Sequence, residues 1–149
     1  MALLDLLEEK IVKVPLVSDN KPEVIRELVE VLAEAGKIRN PEGVIQAVME
    51  RESMGSTGLD KGIAVPHART TEIDTLCVAV GISAGGIDFE ALDGEDSHLF
   101  FMIVAPPDQS SQHIQVLSEI AGIARSSAFC RMLTHAENAA EVIELFMEE

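Results

Sequence analysis

Hydrophobic positions along this chain follow two rhythms. After Pro22, the residues Val24, Ile25, Leu28, Val29, Leu32 and Ala35 recur at the spacing of one helix face. Asp19 and Asn20 ahead of Pro22 supply a helix start, and Gly36 supplies a stop. Asn40-Pro41 opens a second helix with Val44, Ile45, Val48 and Met49 on its apolar face. Leu76–Ile82 and Leu99–Ala105 are instead unbroken apolar runs, and Gly62-Ile63-Ala64-Val65 is a shorter one that ends at Pro66. Unbroken runs of this length predict strands buried on both faces.

The rest of the chain fits the same alternation. Leu3, Leu4, Leu6 and Leu7 predict a short opening helix, and Ile11–Val17 a strand weakened by Pro15. Gly85-Gly86 and Asp93-Gly94 mark turns around a short segment, Ile87–Phe89. Beyond Pro106-Pro107, residues Asp108, Ser110 and Ser111 offer helix caps, and Ile114, Leu117, Ile120, Ala121 and Ala124 form the predicted buried stripe. Ser126-Ser127 interrupts this helix, and Phe129–Leu133 and Ala139–Phe146 predict two closing helices. Buried strands alternating with helices predict one α/β domain over residues 1–149, with helices on both faces of its sheet.

Charge narrows the partners. Lys and Arg total 11 against 26 Asp and Glu, a net charge of −15. Such a surface repels a phosphate backbone, and a chain with no Trp or Tyr has little to stack bases on, so no nucleic-acid partner is expected. The acidic surface serves solubility, or attracts basic proteins and speeds their docking. The apolar runs are far shorter than the ~20 residues of a membrane span. No membrane insertion is therefore expected. The N-terminus lacks the basic start of a signal peptide. Cys77 and Cys130 form no metal or C-x-x-C spacing and read as buried thiols, which suits a reducing cytoplasm.

Three residues carry the candidate chemistry. His67 follows a short buried strand through Pro66, at the strand end where α/β folds place their sites. Neutral imidazole has a free lone pair and attacks phosphorus. The plainer reading is a polar strand-end residue bonded to a carbonyl. His113, in the first turn of a helix and four residues before Leu117, leans toward the protein. The positive end of the helix dipole favours its neutral, donating form; the plainer reading is a histidine packed on the core. Arg51 shares the apolar face of Val44 and Val48, where a cation is costly without an anion. It either clamps phosphoryl oxygens or pairs with an acid such as Glu50 or Glu52. Arg69, two residues after His67, is a further clamp candidate that reads more readily as an exposed surface charge. His98 and His135 read as structural. A zinc site on His67 and His113 lacks clear further ligands, and neither a P-loop nor a G-x-S-x-G elbow occurs, so no metal or other cofactor is expected.

Arg51-Glu52-Ser53-Met54-Gly55-Ser56-Thr57-Gly58, then Gly62-Ile63-Ala64-Val65-Pro66-His67-Ala68-Arg69, resembles the signature of fructose/mannitol-type IIA domains of the bacterial phosphotransferase system. Leu99–Ala105, Pro106, His113-Ile114 and Leu117-Ser118 are similar to the second half of that family, so the resemblance covers nearly the whole chain. Ile114 in place of leucine and the doubled Pro106-Pro107 are small departures. The resemblance implies a mixed central sheet flanked by helices. It implies a phosphocarrier whose His67 accepts a phosphoryl group on Nε2 from the phosphohistidine of HPr or its nitrogen-branch paralogue. His113 then matches the second active-site histidine and Arg51 the supporting arginine. The acceptor is a IIB component in sugar uptake. Alternatively, the chain is a nitrogen-branch regulator whose phosphorylation state controls its binding to other proteins.

Overall fold

A computed structural model of the chain describes residues 2–148; the ends of the predicted unit, Met1 and Glu149, lie outside the described residues. Five strands form one mixed sheet: β1 (Val12–Lys13), β2 (Ile63–Ala64), β3 (His67–Arg69), β4 (Cys77–Ile87) and β5 (Ser97–Ala105). β4 and β5 pair antiparallel at the centre, Cys77 opposite Val104 and Ile82 opposite Leu99. β1 runs parallel along β4, while β2 and β3 follow one another, both parallel, along the other side of β5. The helices are α1 (Ala2–Leu6), α2 (Lys21–Glu34), α3 (Pro41–Ser53), α4 (Ser110–Ile123), α5 (Ser127–Thr134) and α6 (Ala139–Glu148).

The unbroken apolar runs are explained by cover on both sides. Neighbouring residues of a strand point to opposite faces. Phe100 of β5 stacks edge-on with Phe89, and Gly81 beside it on β4 lies so close to Leu16 and Leu28 of α2 that an added Cβ would sit 2.8 Å from Leu16. Phe101 points the other way, onto Phe146 of α6, which in turn meets Phe129 of α5. Asn20 and Asn40 cap α2 and α3 by accepting from the backbone N–H of Glu23 and Gly43, each cap worth about 1 kcal/mol. Gly36, at φ +79°, ends the turn after α2 in the left-handed region that glycine tolerates.

Four local expectations are corrected. The strand expected over Ile11–Val17 shrinks to Val12–Lys13: a short 3-10 turn occupies Glu9–Ile11, and Pro15 brings no N–H to the ladder. Gly85-Gly86 does not end a strand. β4 continues to Ile87, and the surplus residues bulge where pairing steps from Ile82–Leu99 to Ile87–Ser97. The buried residues of α4 are His113 and Ile120, both read as facing the protein, with Val116 and Ile123; Ile114, expected in the stripe, is 59% exposed. None of Asp108, Ser110 and Ser111 caps α4. Gln109 holds the N-cap position and accepts from the backbone N–H of Leu76 instead, while the Ser110 hydroxyl donates to the Pro107 carbonyl. Cys77 and Cys130 are free and buried, and burial pushes the Cys77 thiol up to about 11.

Candidate active site

β3 is the element that builds the site. The chain leaves β2, turns through Val65-Pro66 and rejoins the sheet with His67 opposite Ile103 and Arg69 opposite Ala105. His67 is thus the first residue of a strand rather than a loop residue after one, because the Pro66 carbonyl accepts from Ile103 and the Thr70 N–H donates to Ala105, extending the ladder at both ends. The two-residue period sends His67 and Arg69 to the same face. β5 ends at Ala105, beside Arg69, and leads within a few residues to α4, which carries His113.

The imidazoles of His67 and His113 lie edge to face with centroids 5.3 Å apart. His67 is half-buried, and its Nδ1 lies 2.7 Å from the Val65 carbonyl oxygen. A carbonyl only accepts, so the proton sits on Nδ1 and Nε2 keeps its lone pair. Desolvation holds the His67 pKa below the usual imidazole value; the Val65 bond opposes this, and the Arg51 and Arg69 charges reinforce it. His113 is 2% exposed, and its pKa falls to about 4, first through burial and then through the nearby His67 and Arg69. Both rings are therefore neutral near pH 7.

An open depression of about 420 Å³ joins the two histidines to Arg51, Arg69, Glu50 and Met54. Its charged lining is two guanidiniums and one carboxylate, so an anion entering it meets positive charge despite the acid excess of the chain. Arg51 is half-buried at the end of α3, where its Nη1 donates to the Gly55 carbonyl, 3.0 Å away. It pairs with neither Glu50 nor Glu52. Glu52 is instead buried under the Ser53–Gly58 loop, where it accepts from the backbone and hydroxyl of Thr57 and bridges to Lys21 of α2 at 2.8 Å. Periodicity gave no hint of that network. Arg69 is exposed, as expected, yet its Nε donates to His113 Nδ1 at 3.2 Å. The i, i+2 step from His67 was the available signal. His98 Nδ1–H donates to the Ser83 carbonyl, and His135 ends α5, both in structural positions.

The family model for the phosphoenolpyruvate-dependent sugar phosphotransferase system EIIA 2 domain matches residues 5–149. The chain belongs to this family. The fructose-specific EIIABC component of Bacillus subtilis is 35% identical over 97% of the chain, which spans 23% of that longer relative. The fructose-specific EIIA component of Haloferax volcanii is 32% identical over 86% of the chain and 83% of its own length. A nitrogen regulatory protein of Klebsiella oxytoca is 38% identical over 70% of the chain and 65% of its own length. Among solved structures, the nitrogen regulatory IIA of Neisseria meningitidis superposes with a TM-score of 0.89 at 25% identity, covering 97% of this chain and 99% of that one. The Escherichia coli mannitol IIA, solved in complex with its phosphorylated IIB partner, gives 0.82 at 25% identity, covering 96% and 98%. The EIIA 2 domain is thus a phosphotransferase-system component with a mixed α/β fold. No helix among its described residues is long and apolar enough to cross a membrane.

Proposed function

We propose that this EIIA 2 domain is a phosphocarrier in which His67 Nε2 takes a phosphoryl group from the phosphohistidine of an HPr-like protein and relays it to a IIB component for sugar uptake. The carrying observation is the His67 ring itself, with Nδ1 engaged by the Val65 carbonyl and Nε2 left as a nucleophile in a depression shared with His113 and two arginines. The His67 lone pair forms the new N–P bond as the donor's N–P bond breaks, and that bond's electron pair returns to the donor ring. Such a transfer needs positioning and charge stabilisation more than proton movement. His113 and Arg51 supply donors and charge for the equatorial oxygens. The complex of the mannitol IIA with phosphorylated IIB supports a IIB partner for this site.

A nitrogen-branch regulator is the second reading, favoured by the likeness to nitrogen regulatory proteins in sequence and fold. The chemistry at His67 is then the same, and the output is altered protein binding. Incubation with phosphoenolpyruvate, the general carrier proteins and candidate IIB domains separates the two. Label passing through this chain to IIB and sugar supports uptake, label halting on it supports regulation, and no label on it overturns both.

A further inference from the structure

We propose that Arg69 is a positioning residue that fixes the tautomer of His113, so that His113 presents its Nε2 proton to the phosphoryl group. This inference rests on the phosphocarrier reading and adds a device to that site.

Guanidinium nitrogens donate and never accept, and arginine stays charged at any physiological pH. The Arg69 Nε–H aimed at His113 Nδ1 therefore requires a lone pair on Nδ1. A neutral ring with a lone pair on Nδ1 carries its proton on Nε2. That Nε2 is buried and has no hydrogen-bond partner among the described residues. An unmet buried donor is costly to keep, so its retention beside His67 calls for a ligand that accepts. Phosphoryl oxygens arriving on the neighbouring ring are acceptors only. The opposite tautomer would turn a lone pair toward those oxygens and repel them.

The backbone explains why the residue two after His67 does this. Strand alternation aims Arg69 to the same face as His67, and the parallel pairing sets it opposite Ala105, just before the chain turns into α4. One three-residue strand thus carries both the nucleophile and the group that orients its companion.

Two substitutions test the assignment, because a glutamate or glutamine side chain places its terminal oxygen or nitrogen the same number of bonds from the backbone as arginine Nε. Arg69→Gln keeps a donor at that reach without the charge. Arg69→Glu replaces the donor with an acceptor. Histidine 15N chemical shifts in the unphosphorylated chain read the His113 state without reference to phosphate transfer. The expected result is an Nε2–H ring in wild type and Arg69→Gln, and a ring protonated on Nδ1 in Arg69→Glu. Transfer onto His67 is expected to slow less than tenfold in Arg69→Gln and by about 10²-fold in Arg69→Glu. Thermal melting checks that both variants are folded. An Nε2–H ring persisting in Arg69→Glu, or equal slowing in both variants, would overturn the proposal. Absence of any label on wild-type His67 would instead defeat the phosphocarrier reading and leave the tautomer result standing.

Discussion

His67 and Val65 lie two residues apart, and the carbonyl of Val65 decides which nitrogen of His67 is free. Across Pro66, the His67 ring folds back onto its own backbone. In the proposed transfer a partner meets Nε2, and the phosphoryl adduct is expected there. Nitrogen-resolved 31P–15N NMR on the phosphorylated chain checks this, and an Nδ1 adduct would show that the Val65 bond breaks before reaction.

The same ring sets a pH dependence. In the proposed mechanism His67 must be neutral to attack, and burial holds its pKa below 6.5. The neutral fraction therefore stays high down to pH 6.5 and is lost only as pH falls through the depressed value. Acceptance rates from one donor, measured between pH 8 and pH 5, are expected to be flat at first and to drop below pH 6.5, tracking the His67 titration followed by NMR.

His113 adds a stability term of known sign. Its folded pKa is about 4, against 6.5 for an unperturbed histidine. Between those values the unfolded chain binds a proton that the folded chain does not, so stability declines as pH falls from 6.5 toward 4. The contribution at pH 5 is on the order of 1–2 kcal/mol. Replacing His113 by Leu is expected to make urea unfolding less sensitive to pH across this range and to slow transfer by about 10²-fold. An unchanged pH slope would show that the ring gains a proton without loss of packing.

Arg51 is half-buried at the end of α3, and among the described residues its side chain bonds the Gly55 carbonyl alone. Arg51→Ala is expected to slow transfer by at least tenfold while moving the melting temperature little. A large drop in melting temperature would assign Arg51 to loop stability instead.

Glu52, the next residue, has the opposite character. It is buried between Thr57 and Lys21, and removing one member of such a group leaves the others unpaired. Glu52→Ala is expected to destabilise the chain by about 3 kcal/mol in urea unfolding. Arg26→Ala, which breaks an exposed pair with Glu42, is expected to leave the unfolding midpoint unchanged.

Much of this molecule was legible from residue order. The stripes of α2 and α3 match their sequence pattern, and the two apolar runs became the central strands. The motif around Arg51 and His67 pointed to the family before any coordinates. Position along the chain carries this information because helix and strand periods are local properties of the backbone.

Only the tertiary structure decided the rest. It turned Ile114 out to solvent and Val116 inward, since both neighbouring faces of that helix are apolar and packing had to choose. It joined Arg69 to His113, 44 residues on, and paired Glu52 with Lys21 rather than Arg51. Hydrogen bonds between elements depend on sheet register and helix placement, and neither is written in the spacing of any one segment.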